Sequence, residues 1–117
     1  MNYLPLIIKH RNLYKMNIKS EIKNSTEDMV RWRQHIHENP ETAYNEIKTS
    51  NFIANKLKEF GIEVHQEIGK TGLVGIIHGK KKNSNKTIGI RADIDALPMS
   101  EKTNLPYASK NEGAMHA

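Results

Sequence analysis

Cysteine is absent from the 117 residues. No disulfide can brace this chain, and no thiolate of its own can hold a metal. That absence leaves the compartment open, since it suits cytosol and exterior alike. Long hydrophobic runs are missing too. The apolar stretch at residues 3–8 is interrupted by Pro5 and is far too short to span a bilayer. It also lacks the basic start and small-residue cleavage site of a secretory signal. No GxGxxG or Walker-type phrase occurs, which excludes the usual glycine-rich phosphate cradle. There is no internal repeat and no clear linker.

A basic folded body is likewise missing. The formal net charge is +5, but residues 1–24 carry Lys9, Arg11, Lys15, Lys19 and Lys23 against Glu21 alone. The rest of the chain holds 13 basic and 12 acidic side chains. Nucleic-acid modules concentrate basic residues on the folded unit, so no nucleic-acid partner is expected. Lys80, Lys81 and Lys82 form the one local cluster, which a solvated loop explains. Residues 1–24 are expected to be a poorly ordered leader and residues 25–117 the folded portion.

Ser25 or Thr26 can cap a helix whose first turn carries Glu27 and Asp28, as the helix dipole favours. Met29, Trp32 and Ile36 give it an apolar face, and Asn39-Pro40 stops it. His35 and His37 stand at i and i+2, on different sides of a helix, and cannot easily share an ion. A second helix is predicted over residues 44–60. Its face is Ile53, Leu57 and Phe60, widened by Ile47 and Ala54, and Gly61 ends it. Residues 62–65 alternate in polarity like a strand. Residues 73–79 are a continuous apolar run, suggesting burial on both faces. Residues 87–92 read as a further strand and, after a short connection, as the antiparallel neighbour of 73–79. Gly72, Gly75 and Gly89 read as aids to close packing or a bulge. Residues 99–112 read as a polar loop. The fold class is α/β, a mixed sheet flanked by helices.

The strand expected at 87–92 runs into Asp93 and Asp95, two carboxylates at i and i+2 followed by Pro98. On an extended chain these share a side, and the carboxyl ends of strands are where open α/β sheets place their sites. An aspartate there can equally be a turn former or a helix cap.

Four phrases, in order, carry a resemblance. They are WRQHIHENPE from Trp32 with Glu46 and Thr49 following, KTGLVG from Lys70, RADIDALP from Arg91, and GAMHA from Gly113. Together, over about residues 29–117, they resemble the amidohydrolase branch of the clan MH zinc metallopeptidase superfamily. That branch includes hippurate hydrolases, N-acyl-amino-acid amidohydrolases, auxin-conjugate hydrolases and N-acetyldiaminopimelate deacetylases. The resemblance implies a zinc-peptidase-like catalytic domain with a smaller inserted lid, of which this chain is the amino-terminal portion. In the family the last phrase continues Cys-Gly-His-Asp, whose Cys and His are metal ligands. The expectation is therefore a chain ending before its ligands, with no metal held by its own residues and no activity alone.

By the same resemblance Asp95 is the catalytic acid that orients a ligating imidazole, and Asp93 and His116 are supporting residues. His37 matches a position outside the ligand set. The complete enzyme would carry divalent zinc, manganese or cobalt, cleave the amide bond of small N-acyl amino acids, form a homo-oligomer and work in the cytoplasm without a membrane partner. Amide hydrolysis needs what such a site supplies: a metal to polarise the carbonyl and acidify water, and a carboxylate to move the proton to the leaving amine. The alternative class is a stand-alone, non-catalytic module for dimerisation or partner binding.

Overall fold

A computed structural model describes residues 17–80 and 85–117. Of the leader expected at 1–24, residues 1–16 lie outside the described residues, as do Lys81 and Lys82 of the basic cluster, while Ile18–Asn24 form a helix. The chain divides into two compact units, residues 1–32 and 33–117.

In the first unit, α1 spans Ile18–Asn24, and α2, Thr26–Glu38, begins there. The Asn17 side chain caps α1 by accepting from the Ser20 N–H at 3.4 Å, the role asparagine plays well at this position. No residue of α1 is buried. The hydroxyls of Ser25 and Thr26 turn back onto the Glu21 and Ile22 carbonyls at 3.0 and 3.2 Å, so neither caps α2 in the manner expected.

In the second unit α2 ends at Glu38, just before the fully buried Pro40. Helix α3 spans Ile47–Glu59, starting three residues later than its apolar periodicity suggests. Tyr44 sits at φ 66° within a turn closed by the Asn45 N–H on the Thr42 carbonyl, a conformation no helix can include. The buried face of α3 is made of small residues, Thr49, Ser50 and Ala54. Ile47 and Phe60, expected in that face, are exposed.

Strands β1, Glu63–Ile68, and β2, Gly72–Ile76, form an antiparallel hairpin. Its turn is tight: Ile68 pairs with Gly72, and a register shift separates His65 from Ile68. A Cβ on Gly72 would stand 2.6 Å from the Ile68 carbonyl oxygen, so only glycine fits there. Helix α3 packs on both strands. Gly75 permits this approach, since a Cβ there would meet Ile62 Cγ2 at 3.2 Å and Leu57 Cδ1 at 3.3 Å.

Two expectations fail here. The strand beside 72–76 is 63–68, not 87–92. Residues 87–92 carry no regular structure, and Ile88 and Ile90 are 88% and 94% exposed. The run 73–79 is not buried on both faces either: Val74, Ile76 and Ile77 are exposed. The physical reason is shared. β-branched runs favour an extended, half-buried surface, but a ladder needs a neighbour, and among the described residues the sheet has two strands with α3 against them.

Candidate functional site

Two phrases, whose bridged residues lie 18 apart in the sequence, are stitched together by backbone bonds. Leu97 and Met115 exchange N–H···O bonds of 2.8 and 3.1 Å in an isolated antiparallel bridge. On the other side the Ala96 N–H donates to the Glu41 carbonyl at 2.8 Å, with Thr42 and Ala96 in a parallel bridge. Ala96 is consequently buried, at 3% exposure. The peptide that carries Asp95 is thus fixed between the α2–α3 connection and the GAMHA phrase.

That connection is itself fixed by acids. The Glu41 carboxylate accepts from the N–H groups of Lys48 and Thr49 at 3.2 and 2.8 Å and from the Thr49 hydroxyl at 2.9 Å. It caps the first turn of α3 from outside the helix, satisfying donors that have no helical partner. Glu46, 6% exposed, instead accepts from the Thr71 hydroxyl at 2.6 Å. The glutamates and threonine of the Pro40-Glu41…Glu46…Thr49 pattern therefore do structural work.

A cavity of about 370 Å³ opens beside this seam. Its polar lining is Arg33, His37, Thr49, Asp93 and His116, set among isoleucines such as Ile36 and Ile53. Asp93 also pairs with Arg91 at 2.6 Å, both side chains exposed. Asp95 is exposed and close enough to His116 to favour that ring's charged form. Burial, and then the charge of His37, outweigh it and push the His116 pKa below the ordinary histidine value. The Nε2 of His116 is buried and has no hydrogen-bond partner, a costly state for a polar nitrogen.

His35 and His37 diverge. The His35 ring lies 4.6 Å from that of Phe52. His37 places Nε2 3.0 Å from Glu101 Oε1 and meets the Tyr107 ring edge-on. Glu101 also accepts from the Thr103 hydroxyl and from the Ser109 N–H at 2.6 Å. Those two bonds and the His37 contact hold its pKa at about 2. The loop is tied down further by Asn111 Nδ2 donating to the Pro40 carbonyl at 2.7 Å and the Lys110 N–H donating to that of Glu38 at 2.9 Å. Glu101, Ser109 and Asn111 carry no local signal in the sequence. Nothing in a polar, aperiodic loop marks which residue folds back.

Among the described residues no three His, Cys, Asp or Glu side chains lie together as a metal site would require. The unpartnered His116 nitrogen is one candidate donor, and one does not make a site.

A helix pair, a hairpin and an acid-bearing peptide bridged to a histidine phrase make up one part of a mixed α/β fold. No protein-family model matches the chain. It is 55% identical over 102 residues to a hippurate hydrolase of Campylobacter jejuni, covering 87% of this chain and 26% of that protein. It is 37% identical over 106 residues to an N-acyl-L-amino acid amidohydrolase of Geobacillus stearothermophilus, covering 88% of this chain and 27% of that protein. The crystal structure of a dinuclear metal binding peptidase of the M20 family from Bacillus subtilis superimposes with a TM-score of 0.73 at 41% identity, over 80% of this chain and 26% of that one. The chain is homologous to the M20 metallopeptidases, in their amidohydrolase branch. It spans about a quarter of the length of the curated relatives it matches.

Proposed function

We propose that this chain supplies the first part of the catalytic domain of a metal-dependent amidohydrolase acting on N-acyl amino acids. The observation that carries this reading is the seam: the Leu97–Met115 bridge brings the charge of Asp95 to bear on His116, whose buried Nε2 is unpartnered and which lines the cavity together with Asp93. In this reading Asp95 orients a metal-ligating imidazole, and Asp93 and His116 support the site. The metal is zinc, manganese or cobalt, and further donors must join those described here. The substrate is a small N-acyl amino acid, and the working enzyme is a cytoplasmic homo-oligomer. No helix among the described residues is long and apolar enough to cross a membrane.

The identity to the hippurate hydrolase makes a direct test available. A hybrid is built in which residues 17–117 replace the matching stretch of that enzyme. It is expected to hydrolyse hippurate. Asp95→Ala should lower the rate by about 10–100-fold or more, the usual cost of losing an orienting acid behind a metal ligand, with thermal stability and metal content nearly kept. Asp93→Ala should cost far less. A folded hybrid without activity, or full activity in Asp95→Ala, would refute the reading.

A further inference from the structure

We propose that Glu101 is a positioning residue of this site: its carboxylate orients the His37 ring at the cavity wall and, through Ser109, sets the path of the loop that delivers His116. The proposal rests on the reading of the Asp95–His116 seam as catalytic, but its main test needs no catalysis.

The geometry is that of a carboxylate placed to serve two sides. The Glu101 side chain is 3% exposed and that of His37 13%. Oε1 faces His37 Nε2 at 3.0 Å and accepts from the Thr103 hydroxyl. Oε2 accepts the Ser109 N–H at 2.6 Å. An ionised carboxylate only accepts. A neutral imidazole facing it must therefore carry its proton on Nε2, which leaves Nδ1 as the acceptor. A carboxylate behind an imidazole in this way fixes both tautomer and ring plane.

The second side runs through Ser109. Its Oγ lies 3.1 Å from the Asn111 N–H, which it accepts, and 2.8 Å from the Ala114 carbonyl, to which it donates. Ala114 is buried and stands two residues before His116. Met115, between them, is bridged to Leu97. One unbroken path of short contacts therefore joins His37 on α2 to the loop segment that sets His116. The groups facing the His37 ring are Glu101 from the loop, Tyr107 edge-on from the same loop with Arg33 over its face, and the charge-coupled His116.

Long-range 1H–15N spectra of the histidine rings in the labelled 117-residue chain at pH 8 test this. The parent is expected to show His37 as the Nε2–H tautomer with a slowly exchanging ring proton. In Glu101→Gln, which keeps one acceptor oxygen but brings an NH2, the Nε2–H proton should exchange about 10-fold faster or more. The tautomers should mix, and the His116 ring signals should move. Ser109→Ala should move His116 while leaving the His37 tautomer as it was, and this variant decides the case if Glu101 variants fail to fold. Unchanged His37 spectra in a folded Glu101→Gln, or an unmoved His116 in Ser109→Ala, would overturn the proposal. In the hybrid hydrolase, Glu101→Gln should lower kcat about 10-fold with little change in KM, as removal of an orienting partner does. An inactive hybrid with the expected spectra would instead count against the amidohydrolase reading alone.

Discussion

Glu41→Ala should destabilise the second unit by about 2–3 kcal/mol, although Glu41 does not itself line the cavity. The carboxylate gives up three bonds, to the N–H groups of Lys48 and Thr49 and to the Thr49 hydroxyl. The Lys48 amide is exposed and finds water, so its loss costs little. Thr49 is 4% exposed, and both of its donors would lose their acceptor in a largely buried place. A hydrogen bond to a charged acceptor is worth about 1.5–3 kcal/mol, and orphaning a buried donor costs about 1–3 kcal/mol; these overlap and do not add. Glu41→Gln keeps one acceptor and should cost about 1 kcal/mol, as should Thr49→Val, which removes one donor. Because Thr49→Val has already taken away part of what Glu41 satisfies, the double variant should fall short of the sum by about 1 kcal/mol. Urea unfolding followed by circular dichroism at 222 nm measures all four corners, and the parent slope fixes the expected fall in midpoint. A Glu41→Ala chain within about 0.5 kcal/mol of the parent, or a strictly additive cycle, would mean that the cap does not hold α3.

Thr71→Val removes the donor to the buried Glu46 carboxylate and should cost about 1–3 kcal/mol, read from the same urea midpoints. Gly72→Ala drives a methyl against the Ile68 carbonyl and should cost about 1–3 kcal/mol while leaving the helical signal nearly intact; an unchanged melting temperature would refute the tight turn. Acid should destabilise the chain in two windows. His116 has a lowered folded pKa because burial opposes its charge, so its contribution is whole above the ordinary value of 6.5 and declines as pH falls below it. Glu101, lowered from 4.5 to about 2, contributes above 4.5 and loses that contribution as pH falls toward 2. Urea midpoints against pH should therefore slope in both ranges, and Glu101→Gln should flatten only the lower one.

The parts of this molecule that were legible in the sequence are those decided by near neighbours. Pro40 ends α2 because the residue before proline avoids the helical region, and Gly72 and Gly75 are glycines because close backbone and side-chain atoms leave no room for a Cβ. The two phrases that meet at the cavity were legible as well, by resemblance. What the chain order did not reveal is pairing. The choice between 63–68 and 87–92 as the partner of 72–76 turns on the positive φ angles of Gly69 and Lys70, which make the turn short enough for the nearer strand. Nor does an exposed-looking Glu101 reveal in sequence that His37, 64 residues earlier, will face it. The late start of α3 has the same origin, since its cap arrives from Glu41 beyond a turn and not from the adjacent residue.

Residues 87–92 have a consequence for the behaviour of the molecule in concentrated solution. Thr87-Ile88-Gly89-Ile90 combines β-branched side chains with backbone groups outside any ladder, the pattern by which one polypeptide templates stacking of another. Lys86 and Arg91 bracket it as charged gatekeepers, whose repulsion between approaching chains slows such stacking. The colloidal lifetime of this chain should therefore depend on the two cations that flank this stretch. Neutralising both, or raising the ionic strength enough to screen them, should shorten the lag before turbidity and thioflavin signal. Ile88→Lys should lengthen that lag without changing the melting temperature.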